Sequence, residues 1–417
     1  MNYRRIEHCR ICGNEELVTV VNLGSQYLTG VFPKSKDEIV GSGPLELVKC
    51  QEDKEGKYCG LVQLHHTYEL DQLYGSNYGY RSGLNRSMVD HLHNKVRKIV
   101  DSVSLSKDDL ILDIGSNDST LLQAYPNLGL TLVGIDPTGE KFRTFYPGHI
   151  KLIPEFFPSK TYINMYGDQK AKVITSISMF YDLDDPLAFM RNVYEALDDN
   201  GVWVFEQSYL PAMLTATSYD TICHEHLEYY ALKQIKYMTD MVGLKIIKIE
   251  FNDVNGGSFS VTAAKLNPPF KPDLSAINKI LKEEAKMGVA KLETFSNFQS
   301  RIVDHKDELL KLIQDVKRQG KKVFGYGAST KGNVILQYCG LTERDIPFIA
   351  EVNEDKFGRY TPGSLIPIIS EQEARLLNPD YFMVLPWHFR RNIIEKERAY
   401  LGKGGRLIFP LPRLDVV

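Results

Sequence analysis

The sequence predicts an α/β protein built around a parallel, doubly wound sheet. Four short apolar segments are typical of buried strands, at residues 110–115, 131–136, 172–180 and 201–207. Between the last two, the apolar residues of segment 186–197 recur at the spacing of one helix face. Strands that alternate with helices pair in parallel, and the helices cover both faces of the sheet. The order of these segments therefore indicates one α/β unit in the middle of the chain.

The segments on either side of this unit have their own patterns. Residues 84–103 are predicted to form a helix, because their apolar residues recur on one face. These residues are Val89, Leu92, Val96, Ile99, Val100 and Val103. Residues 198–201 are predicted to form a turn, and segments 244–252 and 256–266 are predicted to pair in antiparallel fashion around Asn255–Gly257.

A second, smaller α/β unit is predicted in the last third of the chain. Its strands are expected at residues 322–330, 346–353, 380–387 and 404–412. A long helical region precedes them, and the proline-rich segment 268–272 is the best candidate for a linker. We therefore expect three domains, at residues 1–76, 77–267 and 268–417.

Composition narrows the possible functions. The chain has 417 residues, with 50 Lys and Arg against 53 Asp and Glu, a formal net charge of −3. This balance disfavours a nucleic-acid-binding protein, which needs a basic surface for phosphates. Apolar runs stay well short of the roughly 18–20 residues that a membrane helix needs, and the first residues lack the pattern of a secretory signal. We expect a cytoplasmic protein with no membrane partner, and a monomer because three domains can bury their own cores.

Four of the six cysteines fall in the first 60 residues, as Cys9, Cys12, Cys50 and Cys59. Six cysteines in 417 residues are too few for a disulfide scaffold. Two cysteines separated by two residues have the spacing of a zinc knuckle. A segment with few apolar residues has a small hydrophobic core, and a bound metal ion would stabilise its fold. We therefore predict a structural, four-thiolate zinc site, with His65 and His66 as the reserve ligands.

The loop after the first predicted strand has the residues of a cofactor site. It reads Asp113-Ile114-Gly115-Ser116-Asn117, and Asp136 ends the next strand 23 residues after Asp113. Open α/β sheets bind ligands at this edge, where small residues let the backbone approach and an acid holds ribose hydroxyls. A second glycine is missing, which favours an adenosine ligand over a dinucleotide. The pattern resembles class I S-adenosylmethionine (SAM)-dependent methyltransferases. The predicted cofactor residues are Asp113, Gly115, Ser116, Asn117, Asp136 and Ser178.

The segment His224-Glu225-His226 is flanked by aromatic residues. Zinc peptidases place their two histidines four residues apart on a helix, so that metal motif is absent here. A histidine of near-neutral pKa can instead act as a general base, with a neighbouring carboxylate to orient it. From the spacing alone, a purely structural histidine cluster is equally compatible with this segment.

Taken in order along the chain, these motifs resemble the sugar C-methyltransferases, which act on nucleotide-linked 4-keto-deoxysugars in deoxysugar biosynthesis. The resemblance covers nearly the whole chain. Besides the motifs above, it rests on Cys59-Gly60-Leu61-Val62-Gln63-Leu64, Tyr78-x-Tyr80-x-Ser82, Asn255-Gly256-Gly257-Ser258, Gly325-x-Gly327-Ala328-Ser329-Thr330-Lys331-Gly332-Asn333 and Gly358-Arg359-Tyr360-x-Pro362-Gly363.

The resemblance implies an N-terminal zinc-binding domain, a Rossmann-like class I methyltransferase core and a C-terminal Rossmann-like α/β domain, with the nucleotide sugar between them. It implies SAM and structural zinc as cofactors. The catalytic set it implies is His226, Glu225, His224, Tyr78 and Tyr80. The substrate-binding set is Asn255, Lys331, Asn333, Glu351, Lys356, Arg359 and Tyr360, with Lys331 and the loop amides meeting phosphates.

The implied reaction begins at the carbon beside the 4-keto group, expected to be C3. His226 removes its acidic hydrogen, Glu225 orients His226, and the resulting enolate attacks the methyl group of SAM. A tyrosine hydroxyl or another donor would stabilise the enolate. Two residues depart from some family members, Cys223 where they have Tyr and Asp182 where they have His; Ser260 stands where some have Arg.

Three other functions stay open at this point. An O- or N-methyltransferase on a nucleotide sugar would use His226 to deprotonate a heteroatom. A nicotinamide-dependent sugar oxidoreductase would use Gly325 and Gly327, with Glu351 as the ribose acid, although Thr330 stands where a third glycine is expected. A zinc-ribbon interaction module is disfavoured by the near-neutral charge and the His-Glu-His segment.

Overall fold

The computed structural model describes residues 3–53, 55–69, 73, 80–266 and 269–417. Within them the chain folds into four β-sheets with helices packed against the two largest. The N-terminal part is all β, with strands β1 (Tyr3–Arg5), β2 (Leu17–Tyr27), β3 (Ser42–Cys50), β4 (Val62–Leu64) and β5 (His66–Tyr68). β1 pairs with β5, and β2, β3 and β4 form an antiparallel sheet.

The middle unit is a seven-stranded sheet. The strands of this region are β6 (Leu110–Ile114), β7 (Thr131–Ile135), β8 (Ile150–Ile153), β9 (Ala171–Ile177), β10 (Leu197–Ser208), β11 (Glu228–Tyr229), β12 (Leu244–Asn252) and β13 (Ser258–Lys265). The sheet order is β12-β13-β10-β9-β6-β7-β8. Only β13 runs antiparallel to its neighbours. The predicted doubly wound sheet and its closing antiparallel pair are therefore present.

Helices begin where a short polar side chain accepts a backbone N–H that would otherwise lack a partner. The helices of the middle unit are α1 (Arg86–Ser102), α2 (Lys160–Tyr166), α3 (Pro186–Ala196), α4 (Leu210–Ala216) and α5 (Leu232–Val242). Asn85 caps α1, and Asp185 caps α3, which has Pro186 in its first turn. The predictions for 84–103 and 186–197 are confirmed, apart from residues at the ends.

The C-terminal unit is a six-stranded sheet of order β16-β15-β14-β17-β18-β19. Its elements are α6 (Leu274–Met287), α7 (Leu292–Arg318), β14 (Val323–Tyr326), α8 (Thr330–Cys339), β15 (Ile349–Glu351), β16 (Ile368–Ser370), α9 (Glu371–Leu376), β17 (Tyr381–Val384), α10 (Arg390–Lys396), α11 (Arg398–Leu401), β18 (Arg406–Phe409) and β19 (Asp415–Val416). Only β19 is antiparallel. The strand order reverses between β14 and β17, and open α/β sheets bind ligands at such a point.

The three parts share buried surface rather than standing apart. One apolar cluster joins Leu45 of the N-terminal sheet, Tyr219 of the middle unit and Phe298 of α7. β11 leaves the middle unit and pairs with β4 as the fourth strand of the N-terminal sheet. The Glu284 carboxylate of α6 caps α5 by accepting the backbone N–H of Leu232 at 2.6 Å. Each part is therefore docked on the others through fixed contacts.

Three predictions about the fold need comment. The turn expected at residues 198–201 is instead a bulge within β10, where pairing with β9 shifts between Leu197 and Val202. The boundary expected near residue 76 and the start of the linker at 268 lie outside the described residues. In the part of the chain that the structure describes, every helix is too short or too polar to cross a bilayer.

Candidate active site

The four predicted cysteines come together at one end of the N-terminal sheet. Their Sγ atoms all lie within 4.8 Å of one another, with Cys9 and Cys59 3.5 Å apart and Cys12 and Cys50 3.5 Å apart. Zinc–sulfur bonds of about 2.3 Å place tetrahedral sulfur atoms about 3.8 Å apart, so the cluster fits a Zn²⁺ ion. Three of the four side chains are buried, which leaves no open position for a reacting molecule.

The zinc knuckle is tied to the rest of the molecule by Arg10. Its guanidinium donates to the carbonyl of Leu64 at 2.7 Å and lies 3.7 Å from the buried carboxylate of Glu228. The reserve ligand His65 instead bonds Glu46 and Arg5. A distortion at the knuckle would therefore reach β11 directly.

The predicted cofactor residues line the carboxyl ends of β6, β7 and β9. Asp113 accepts the Thr175 hydroxyl at 2.5 Å, and burial raises the pKa of its carboxyl to about 7. Gly115 has a φ of +77°, which a side chain would strain. Ser178 holds a φ of +57° at the end of β9 without being glycine. Strained residues of this kind collect at ligand sites, so the backbone here fits a bound cofactor.

The loop is held in place by its own hydrogen bonds. The N–H of Asn117 donates to Asp136 at 2.8 Å, and the Ser116 hydroxyl lies 2.8 Å from that of Tyr146. The segment before α1 covers this loop, since the carbonyl of Tyr80 accepts from the Asn117 amide at 3.2 Å. Tyr80 itself is half exposed, and Tyr78 lies outside the described residues. These hydrogen bonds fix the predicted cofactor loop at the carboxyl edge of the sheet.

His226 lies on a loop between α4 and β11. Its Nδ1 donates to the carbonyl of Thr221 at 2.8 Å, which leaves Nε2 as the basic nitrogen. Its ring centroid is 4.3 Å from that of Tyr181. Burial, and after it the charge of Lys331, lower the pKa of His226 to about 3. A neutral imidazole of fixed tautomer is suited to accept a proton.

The other two residues of the segment face different surroundings. Glu225 reaches the N-terminal part at Gly30, where an added Cβ atom would lie 3.0 Å from one of its carboxylate oxygens. The other oxygen is buried without a hydrogen-bond partner. Burial raises the pKa of this carboxyl. The His224 ring packs edge-on against Tyr68, with Nε2 3.3 Å from the carbonyl of Gly43. His224 therefore contacts the N-terminal sheet.

Two residues that the sequence analysis missed hold this loop against the C-terminal unit. Asp220 accepts the indole N–H of Trp387 at 2.7 Å, and the Tyr219 hydroxyl lies 3.1 Å from Nδ1 of His305. These partners are 167 and 86 residues away in sequence, so no local pattern could reveal the contacts.

The predicted substrate residues fall into two groups. Lys331 donates to the carbonyl of Asn255 at 2.6 Å, and Asn333 donates to the carbonyl of Thr29 at 2.7 Å. These residues lie where the three parts of the molecule meet. The second group is Glu351, Lys356, Arg359 and Tyr360.

This second group makes contacts within the protein. Both Glu351 oxygens accept backbone N–H groups, from Ala328 at 2.6 Å and from the two residues after Glu351. Lys356 donates to the carbonyl of Ala328, and its ammonium lies over the Phe32 ring. The backbone carbonyls of residues 32 and 33 accept the Arg359 side chain and the Tyr360 N–H. This group therefore joins the glycine-containing loop to the N-terminal part.

Several polar side-chain atoms on the segments that meet at this junction are buried without a hydrogen-bond partner. They are Thr29 Oγ1, both amide atoms of Gln207, Ser218 Oγ, Asp220 Oδ1, Glu225 Oε2, Asn333 Oδ1 and His388 Nδ1. Such atoms are costly inside a protein unless water or a ligand bonds them. These atoms are therefore available to bond the hydroxyl or carbonyl groups of a bound molecule.

Comparison with known proteins decides the family. Three domain models match in succession: a zinc binding domain at residues 9–74, a methyltransferase domain at 88–249 and a C-methyltransferase C-terminal domain at 253–412. The C-methyltransferase NovU of Streptomyces niveus is 31% identical over 421 residues, covering 99% of this chain and 97% of that protein. The chain belongs to the C-methyltransferase family. This C-methyltransferase is a SAM-dependent enzyme with a class I core, and its cofactors are SAM and structural zinc.

Solved structures resemble parts of the C-methyltransferase. A methyltransferase from Haloferax volcanii, in complex with its Trm112 activator, shares 12% identity at a TM-score of 0.37, over 44% of this chain and 94% of that chain. The CcbJ methyltransferase from Streptomyces caelestis shares 12% identity at a TM-score of 0.33, over 42% of this chain and 89% of that chain.

Proposed function

We propose that this enzyme methylates a ring carbon, C3, next to the 4-keto group of a nucleotide-linked deoxysugar, with His226 as the general base. The observation that supports the proposal is the environment of His226. Its tautomer is fixed by Thr221, its ring is neutral near pH 7, and Asp220 and Glu225 on the same loop each carry a buried oxygen without a hydrogen-bond partner. A base whose basic nitrogen is free and neutral is what C–H deprotonation needs.

The ketone makes the chemistry possible. A carbonyl acidifies the hydrogen on the neighbouring carbon, because the resulting negative charge is shared with oxygen. His226 takes that proton on Nε2, and the carbon becomes nucleophilic. When bound, SAM supplies an electrophilic methyl group to such a carbon. We propose that SAM binds to the loop residues at the carboxyl ends of β6, β7 and β9, which are Asp113, Gly115, Ser116, Asn117, Asp136 and Ser178.

The remaining catalytic residues would act through position. We assign Glu225, whose buried oxygen lacks a partner, to polarise His226 or to bond a sugar hydroxyl. His224 would fix the loop to the N-terminal sheet. We assign Tyr80 to the wall of the sugar pocket next to the cofactor loop, and we keep Tyr78, which lies outside the described residues, as a candidate catalytic residue that binds the sugar. Cys223, which replaces a family tyrosine, lies on the same loop as His226. Asp182, which replaces a family histidine, lies in the turn after β9, close enough to interact electrostatically with Cys223.

The nucleotide would lie toward the C-terminal unit. Its sheet reverses strand order beside Gly327 and the start of α8, the edge at which open α/β sheets take ligands. We assign Asn255, Lys331 and Asn333 to direct substrate contact. Glu351, Lys356, Arg359 and Tyr360 would shape the wall of that pocket through the glycine-containing loop. We expect domains at 1–76, 77–267 and 268–417, acting as a cytoplasmic monomer without nucleic-acid or membrane partners.

A deuterium-exchange experiment tests the proposal. The enzyme is mixed with nucleotide-linked 4-keto-6-deoxyhexoses and SAM in deuterated water, and the sugars are followed by NMR. Loss of one ring C–H signal, with a new methyl group on that carbon, is expected. His226→Asn should abolish both changes, whereas the exposed His149→Asn should alter neither. Full activity of His226→Asn would exclude His226 as the base.

The same experiment separates the alternatives. A methyl group on oxygen or nitrogen, with every ring C–H intact, would identify an O- or N-methyltransferase. A nicotinamide-dependent oxidoreductase is less compatible with the sequence, because Thr330 stands where the glycine-rich loop of such enzymes has its third glycine. Enhanced fluorescence of a reduced nicotinamide cofactor on addition of the enzyme would support that alternative.

A further inference from the structure

We propose that Lys331 is a catalytic residue whose ammonium bonds the ketone oxygen of the substrate as that oxygen becomes an enolate. This inference rests on the proposed function and differs from a phosphate-binding role for the same lysine. It names the group that stabilises the negative charge created when His226 removes the proton.

The position of Lys331 is set by the middle unit. Lys331 is the second residue of α8, and its ammonium donates to the carbonyl of Asn255 at 2.6 Å. Asn255 has a left-handed backbone with a φ of +55°, in the turn between β12 and β13. An ammonium has three donors, and this carbonyl uses one of them. The other two are available to a ligand.

A continuous set of contacts connects this turn with the base. Gly256, next to Asn255, packs closely against the Trp387 ring, since a Cβ atom added at Gly256 would lie 3.0 Å from that ring. Trp387 in turn donates to Asp220 at 2.7 Å. Asp220 precedes Thr221, whose carbonyl orients His226. These contacts bring the start of α8, which carries Lys331, and the loop that carries His226 to the same junction of the C-terminal and middle units.

The electrostatics agree with this geometry. Burial, and after it the charge of Lys331, lowers the pKa of His226 and also that of His388. The carboxylate of Asp220 opposes the effect of burial on the pKa of Lys331 and favours its charged form. The unpartnered Asp220 Oδ1 and His388 Nδ1 belong to the same region. A buried positive charge beside a base favours products in which negative charge appears between them.

The step balances without any further reactant. His226 takes the proton, the C–H electron pair forms the carbon–carbon double bond, and the carbonyl π electrons move to oxygen, which Lys331 bonds. On methyl transfer the carbonyl forms again, the new carbon–carbon bond takes the enolate electrons, and the sulfonium leaves as a neutral thioether. The proton on His226 then passes to solvent.

The experiment compares Lys331→Met and Lys331→Arg with the unaltered enzyme. Deuterium exchange of the active keto-sugar is measured with S-adenosylhomocysteine present, and binding of the matching nucleoside diphosphate is measured by calorimetry. Lys331→Met should lower kcat for exchange by about 10²–10³-fold, the usual loss on removing one oxyanion donor. The diphosphate Kd should change less than threefold, and Lys331→Arg should recover part of the rate.

Exposed Lys403→Met serves as the matched control and should match the unaltered enzyme. Zinc content and S-adenosylhomocysteine affinity report folding of each variant. Unchanged exchange in Lys331→Met, or a tenfold weaker diphosphate Kd with kcat retained, would overturn the inference and assign Lys331 to the phosphates. If the unaltered enzyme exchanges none of the sugars, the proposed function fails and this inference fails with it.

Discussion

Lowering the pH from 7.5 to 5.5 should leave kcat/KM for deuterium exchange nearly unchanged if His226 is the base in the environment described. Burial and the charge of Lys331 lower the pKa of this imidazole to about 3. The base form of a histidine is the neutral one, so a lowered pKa keeps it active to lower pH. At pH 5.5 a histidine of ordinary pKa, near 6.5, is about 90% protonated, whereas one of pKa 3 is under about 1% protonated. The two cases therefore predict about a tenfold loss and almost none.

The profile of kcat/KM is the right measurement, because it reports ionisation of the free enzyme. Exchange is followed by NMR between pH 5 and 8 with S-adenosylhomocysteine present. Zinc content and circular dichroism at each pH show that the fold is intact. A tenfold fall with a midpoint near 6.5 would refute the reasoning from burial. Lys331→Met removes a neighbouring positive charge, so any acid limb should move to higher pH in that variant.

Three further predictions concern the cofactor sites and stability. Cys50→Ser should lower zinc content and melting temperature together; full zinc occupancy by metal analysis would contradict the four-thiolate site. Glu206→Gln should lower stability to urea by about 3 kcal/mol. Burial would raise the Glu206 pKa, but the His91 hydrogen bond and the Lys95 ion pair outweigh it and lower this pKa from 4.5 to about 2. The stabilisation is full above about pH 5 and declines toward pH 2; an unchanged urea midpoint would show that these contacts have no net value. Gly115→Ala should weaken SAM binding by about 5–30-fold in calorimetry. A side chain at a φ of +77° costs about 1–2 kcal/mol unless the loop leaves the conformation assigned to the bound state, and its Cβ would lie 3.0 Å from Met179. An unaltered Kd would contradict the assigned loop.

The fold was predictable wherever the apolar residues of a helix or strand recur at the regular spacing of that element. Segment 84–103 shows its apolar face in the sequence, and α1 buries Leu92, Val96 and Ile99 there. The N-terminal strands were not predicted, because β2 exposes residues on both faces along most of its length and its register with β3 shifts twice. The short strand β16 was also missed. A segment of three residues is too short to show an alternation of apolar and polar residues. Only its hydrogen bonding to β15 defines it as a strand.

The site divides in the same way. Cys9 and Cys12, and the loop from Asp113 to Asn117, have spacings that indicate their chemistry locally. The contacts that join the C-terminal unit to the other two parts have no such local signature. Lys331 to Asn255 and Asn333 to Thr29 span 76 and 304 residues. Only the folded chain reveals them, because hydrogen bonds over such separations leave no period or motif in one sequence.

The zinc-binding part acts on the reaction through backbone pairing. Zinc ligand Cys59 is followed by β4, and β4 pairs with β11, which begins two residues after His226. The N–H of Leu227, between them, donates to the carbonyl of Tyr181, against whose ring His226 packs. A base must hold its nitrogen within a few tenths of an ångström of the proton it removes, and a loop alone fluctuates more than this. Hydrogen bonds that hold Leu227 between β4 and the helical turn after β9 restrict that motion of the proposed base, His226. Loss of zinc should therefore lower kcat for exchange even under conditions in which the methyltransferase core still binds SAM.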